Sequence, residues 1–335
     1  MKRTLYLMSS GRIRRKQNTL VLEAPDEDGS SRRKYFPIEQ IQEIHAFGEL
    51  ELNKRLLEFL SRQEILIHFY NRYGYYVGSF YPREHYNSGF LILQQVAHYL
   101  DEEKRLDLAR RFVEGAIANL LRVVRYYRNR GKPLEQVERA LQGHLDRLPK
   151  QGAIEQLMQA EGQAREVYYR AFDLILEDEE FAFEGRTRRP PRNRINALIS
   201  FGNSLLYTTA LSEIYKTHLD PRIGFLHATN FRRFALNLDI AEVFKPLLVD
   251  RTILSLVQKG QIQPKHFAEE LGGLYLDETG RKRFLEAWEA RLQATLHHRG
   301  LKRNVSYRRL IRLECYKLEK HLLGEREYRP FLSRW

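Results

Sequence analysis

Tyr81-Pro82-Arg83-Glu84-His85-Tyr86-Asn87-Ser88-Gly89 is the stretch where the sequence changes character. Proline, glycine and turn-forming polar residues crowd together there, a combination that ends regular structure. Upstream of it the chain reads as short strands, and downstream as helices. Segregated elements of this kind define the α+β class. The expected organisation is an N-terminal β-rich, sandwich-like domain at 1–83, a linker at 84–90 and an all-α C-terminal domain at 91–335.

On the N-terminal side, Leu5-Tyr6-Leu7-Met8, a Ser9-Ser10-Gly11 turn and Asn18 to Glu23 give strands with turn residues between them. Tyr35-Phe36, Ile41 to Ala46, Glu64 to Phe69 and Tyr75 to Phe80 continue the pattern, the last two joined across Asn71-Arg72-Tyr73-Gly74. One helix is inserted at Glu51 to Leu60, where Leu52, Leu56, Leu57 and Leu60 share a face. On the C-terminal side, apolar residues recur at three- and four-residue spacing from Leu106 to Val124, a long amphipathic helix ending near Arg130-Gly131. Further helices are expected at 133–147, 152–177, 195–218, 235–258, 278–298 and 305–324.

Composition narrows the partners. The 335 residues are 43% hydrophobic, enough to bury a core in each of two domains and too much for a disordered chain. Lys and Arg number 56 against 43 Asp and Glu, a net charge of +13 that points to a polyanion. The single cysteine, Cys315, excludes a disulfide framework and a Cys-based zinc site, which fits a reducing compartment. The N-terminal apolar stretch is too short for a signal sequence, and no apolar run is long enough to span a membrane. A cytoplasmic protein without membrane partners is expected. Walker-type, Gly-x-Ser-x-Gly and Gly-x-Gly-x-x-Gly motifs are absent.

Acids in apolar surroundings are the candidates for chemistry. Glu161 falls on the stripe of Ile154, Leu157, Met158, Ala164, Tyr168, Phe172 and Ile175, where a hydrophobic residue belongs. A carboxylate there needs a cation, a donor or a metal. An arginine partner across a helix interface and a functional site both satisfy that need. His227 follows a turn-rich segment, Asp220 to Gly224, and precedes a largely apolar helix from 235 on which Asp239 and Glu242 share a face. Glu161, His227, Asp239 and Glu242 form a donor set suited to Mg²⁺ or Mn²⁺. Buried pairs with cations would explain the same spacing. Between the two clusters Arg186, Arg188, Arg189, Arg192 and Arg194 sit in a proline-broken loop suited to phosphate contacts, or to a solvated linker.

Four ordered blocks carry a family likeness. They are Glu161-Gly162-Gln163-Ala164-Arg165-Glu166-Val167-Tyr168-Tyr169, Asn196-Ala197-Leu198-Ile199-Ser200-Phe201-Gly202, Gly224-Phe225-Leu226-His227, and Leu238-Asp239-Ile240-Ala241-Glu242-Val243-Phe244-Lys245-Pro246. Together they resemble the CRISPR-associated adaptation integrases, the Cas1 family, over nearly the whole chain. Phe112-Val113-Glu114-Gly115 with Asn119 resembles family sequence too, whereas Lys245 stands where arginine is usual.

The resemblance implies a β-rich dimerisation domain and a helical domain holding Mg²⁺ or Mn²⁺ through Glu161, His227 and Glu242, with Asp239 as a nearby catalytic acid. It implies a metal-dependent DNA endonuclease and integrase that inserts short foreign fragments into a CRISPR array by 3′-hydroxyl attack on a phosphodiester. Implied partners are double-stranded DNA, a second copy of the chain and the small subunit Cas2. Arg165, Lys245 and the five loop arginines are the expected DNA contacts. Two readings stand beside this one: a non-catalytic basic DNA-binding scaffold, and a nuclease acting on branched or single-stranded DNA in repair.

Overall fold

The computed structural model describes residues 2–25, 31–84, 86, 88–227 and 234–333; His85 and Asn87 of the expected linker lie outside them. The chain forms two compact units, Met1–His85 and Tyr86–Trp335. The class is α+β, with strands concentrated in the first unit and helices in the second.

Among the described residues, the first unit forms two four-stranded sheets. One has the order β1 (Arg3–Leu7), β5 (Ile41–Ala46), β7 (Ile67–Tyr70) and β8 (Tyr76–Phe80). Its first three strands are parallel, and β8 returns antiparallel to β7. The other has the order β4 (Ser31–Pro37), β3 (Thr19–Pro25), β2 (Gly11–Lys16) and β6 (Leu50–Glu51). Parallel strands need a crossover, and that from β5 to β7 carries α1 (Lys54–Arg62), whose Asn53 cap accepts from the Leu56 amide. Leu7, Ile44 and Ile67 of the first sheet meet Ile13, Leu20 and Leu22 of the second, with Leu56, Phe59 and Leu60 of α1, in one core. The first sheet therefore commits one face to apolar packing. Its other face carries Glu43, His45 and His68, all fully buried.

The second unit is built around α3 (Glu102–Arg128), which follows α2 (Gly89–Leu100) and starts at an Asp101 cap. Around it lie α4 (Glu135–Arg147), α5 (Ile154–Leu176), α6 (Arg194–Ile214) and α7 (Leu236–Lys245). α6 is buried almost all round, as its mixed apolar and small-residue sequence requires. The helix expected across 235–258 forms, but it is not uniformly α-helical. α7 passes through a wide turn at Pro246–Asp250 into α8 (Arg251–Gln258), because Pro246 has no amide hydrogen for the helical ladder.

After α8 come β9 (Phe267–Glu270), β10 (Gly273–Leu276), α9 (Glu278–Gln293), β11 (Thr295–His298), β12 (Arg303–Ser306) and α10 (Tyr307–Leu322). The two hairpins, β9 with β10 and β11 with β12, interrupt a unit expected to be all helical. His297 and His298, expected at a helix end, lie on β11. No helix among the described residues is long and apolar enough to cross a membrane.

Candidate metal centre

Asp239 projects from the first turn of α7 into the segment that carries His227. One carboxylate oxygen accepts from the amides of Phe225 (2.5 Å) and Leu226 (3.1 Å), the other from the His227 amide at 3.0 Å. The second oxygen also meets His227 Nδ1 at 2.7 Å. Gly224 is required beside this cradle, because a Cβ there would stand 3.0 Å from the Asp239 carboxylate and 2.9 Å from Ala235 Cβ. Both Asp239 oxygens are thus committed to donors in the loop. Asp239 fixes the His227 ring by Nδ1 and leaves Nε2 as its candidate ligand atom, the arrangement common behind metal-bound histidines.

Burial works against the His227 imidazolium, but the hydrogen bond and charge of Asp239 outweigh it and raise the ring's pKa above its ordinary value. His227 lies near enough for its charge to act on Glu242 as well.

Glu161 of α5 and Glu242 of α7 are brought together through Arg165. The guanidinium, one turn after Glu161, pairs with both carboxylates, and Lys245, three residues after Glu242, pairs with the remaining Glu242 oxygen. A second Arg165 contact, 3.4 Å long, reaches the Glu242 carbonyl, which Pro246 cannot serve with an amide. Burial opposes the Glu242 charge, yet Lys245 and Arg165 overcome it and hold the carboxyl well below the usual range. At Glu161 burial wins: it outweighs Arg165, and the neighbouring Glu242 charge pushes the same way, so the pKa rises.

Two carboxylates that share a buried guanidinium are a pair that needs positive charge between them. With an imidazole oriented through its Nδ1 by Asp239, this donor set of two oxygens and one nitrogen fits a hard or borderline divalent ion. The donors are not gathered as closely as at a formed site. Among the described residues, mutual separations within 4.8 Å occur at Glu43, His45 and His68 in the first unit, which the spacing of the sequence does not single out.

Several expected DNA contacts are placed otherwise. Arg165 and Lys245 are buried and occupied by Glu161 and Glu242, which corrects the expectation that they face a phosphate backbone. Arg186 is half-buried and donates to Asn196 Oδ1 at 2.8 Å and Ser200 Oγ at 3.1 Å, tying its loop to α6. Arg194 holds Glu180 at 2.8 Å. Arg188, Arg189 and Arg192 are exposed or partly exposed. Asp250, in the wide turn after α7, is absent from the expected set. It is fully buried, and neither of its oxygens has a hydrogen-bond partner among the described residues. Its signal is an acid closing the apolar run Pro246-Leu247-Leu248-Val249.

Residues 5–290 match the family model for the CRISPR associated protein Cas1. The CRISPR-associated endonuclease Cas1 2 of Thermodesulfovibrio yellowstonii is 56% identical over 335 residues, covering 100% of both chains. The CRISPR-associated endonuclease Cas1 of Thermotoga maritima is 51% identical over 325 residues, 97% of this chain and 98% of its own. Among solved structures, a Cas1 protein from Thermotoga maritima superposes with a TM-score of 0.87 at 50% identity, covering 97% of this chain and 99% of that one. A casposase bound to integration product shares the fold, with a TM-score of 0.88 at 21% identity over 99% of this chain and 94% of that one. On the family match and on identities that extend over essentially the whole sequence, this chain belongs to the CRISPR-associated Cas1 family.

Proposed function

We propose that the chain is a metal-dependent DNA endonuclease and integrase, which joins the 3′-hydroxyl of a short foreign DNA to a phosphodiester of a CRISPR array. The observation that carries this reading is His227, anchored by Asp239 beside the Glu161 and Glu242 pair, in a chain of this family. Glu161, Glu242 and His227 Nε2 would hold the ion, Mg²⁺ or Mn²⁺. Bound there, it would stabilise charge growing on the phosphorus and lower the pKa of the attacking hydroxyl.

The protein's own groups do the remaining work. Asp239 keeps the His227 ring from rotating and holds the 225–227 backbone in one conformation. Arg165 and Lys245 balance the carboxylates when no ion is present, so the site can fold without one. Strand transfer exchanges one phosphodiester for another. No covalent enzyme intermediate and no external energy source are required.

The helical unit is assigned to catalysis and the β-rich unit to dimerisation. Cas2 is the proposed partner; two similar solved structures are of Cas6-RT-Cas1–Cas2 assemblies. The scaffold reading also has an observation in its favour, since Glu161, Asp239 and Glu242 are each ion-paired or hydrogen-bonded within the protein.

A nicking and strand-transfer assay on plasmid carrying a repeat array separates the two. Integration predicts products that require Mn²⁺ or Mg²⁺, vanish with EDTA and are lost in Glu161→Ala and His227→Ala while DNA binding survives. Asp239→Asn should retain a remnant, lowered about 10–100-fold. Activity absent from wild type, or indifferent to EDTA and to both substitutions, would leave the scaffold as the better account.

A further inference from the structure

A row of polar side chains crosses the first sheet on the face away from its apolar core. The register places Tyr6 of β1 beside His45 of β5, His45 beside His68 of β7, and His68 beside Ser79 of β8. Glu43 is two residues before His45 and shares its face. The two imidazoles lie 5.0 Å apart between ring centres, with Tyr6 at 5.1 Å and Tyr70 at 5.7 Å from His45.

Each ring has its Nδ1 held by a hydroxyl. Tyr70 Oη is 2.8 Å from His45 Nδ1, and Ser79 Oγ is 2.7 Å from His68 Nδ1; Tyr76 Oη in turn holds Ser79 Oγ at 2.8 Å. The second nitrogen of each ring, Nε2, is its candidate donor, and His45 Nε2 is 3.1 Å from Glu43 Oε1. Donor atoms of the three residues all lie within 4.8 Å of one another, at full burial. Ligands on a tetrahedral zinc stand about 3.4 Å apart, given bonds of about 2.0–2.1 Å. One donor pair, His45 Nε2 with Glu43 Oε1, already stands near that spacing.

We propose that Glu43, His45 and His68 form a zinc site in the N-terminal unit, made of residues distinct from those of the proposed catalytic centre. Two imidazoles and one carboxylate select zinc over magnesium, which prefers an all-oxygen shell. The Tyr70 and Ser79 hydroxyls are the outer partners that fix tautomer and ring orientation. The ion ties β5 to β7 where the two strands pair through only Ile44 with Ile67, His45 with His68 and Ala46 with Phe69, so binding stabilises the unit.

The test uses the full chain carrying His227→Ala, which removes the proposed catalytic centre as a source of bound metal. The protein is stripped with chelator, reloaded with Zn²⁺, dialysed and assayed by inductively coupled plasma mass spectrometry. One zinc per chain is expected, with a higher melting temperature than the stripped protein. Adding His68→Ala or Glu43→Gln should reduce the bound zinc at least fivefold. Co²⁺ loading of the unaltered pocket gives a second readout, because four-coordinate Co²⁺ shows intense visible bands even if the pocket variants do not fold. Absence of stoichiometric zinc and of those bands overturns the proposal, as does zinc that persists in a folded His68→Ala protein.

Discussion

Asp250 is a carboxylate in a place that disfavours its charge. Burial pushes its pKa up to about 7, against the pull of Arg165 and Lys245, and Glu242 adds to the rise. An unfolded chain releases this proton near the ordinary aspartate value of about 3.9. Between there and about pH 7 the folded state therefore holds a proton that the unfolded state has lost, and linkage makes stability fall as pH rises through that window. Asp250→Asn removes the titration. The urea midpoint of wild type, relative to the variant, is expected to drop from pH 5 to pH 8, and a difference that does not change with pH would refute the assignment. Asp250 and Asp239 illustrate what single residues reveal in sequence. Glu161 is legible because it breaks an apolar stripe. The role of Asp239 is not, because its partners are three backbone amides whose convergence depends on the loop's conformation.

The Phe201-Gly202 pair, legible as a motif, acts as an element-packing device. A Cβ on Gly202 would stand 2.6 Å from Val249 Cγ1 and 3.0 Å from Phe284 Cζ, so α6 can approach the wide turn after α7 only without a side chain there. Overpacking costs about 1–3 kcal/mol, more than the ~1 kcal/mol by which alanine favours a helix over glycine. Gly202→Ala is expected to lower the urea midpoint. Gly162→Ala on α5, where nothing lies within 4 Å, should raise it, and equal shifts in the two variants would remove the packing explanation. Asn119 works similarly: its amide donates to the carbonyls of Val243 and Phe331, both at 2.9 Å, binding α3 to α7 and to the C-terminal segment. Elements with strong apolar periodicity, such as α3 and β5, are readable from sequence. β2 is not, because Ile13 is the one apolar residue among Arg12, Arg14, Arg15 and Lys16. β9 escapes for the same reason, with Glu269 and Glu270 in a four-residue strand. The Glu43, His45 and His68 group depends on the pairing of two strands separated by a helix, which no local spacing encodes.

Across the whole molecule the charge of +13 is not concentrated in the proposed catalytic centre, where Arg165 and Lys245 are neutralised. It is displayed on exposed basic strands, with Arg12, Arg15 and Lys16 on β2 and Arg32, Arg33 and Lys34 on β4, and on the loop bearing Arg188, Arg189 and Arg192. Exposed cations bind a polyanion largely by releasing its counterions, so affinity falls linearly with salt on logarithmic axes. Each phosphate contact removed should reduce that slope by about one. A triple Arg188→Ala, Arg189→Ala, Arg192→Ala variant is therefore expected to bind duplex DNA more weakly at low salt and to show a slope shallower by about two to three. Fluorescence anisotropy across a salt series reads both quantities. An unaltered slope would assign the DNA footprint to the basic strands, whose variants would then carry the same test.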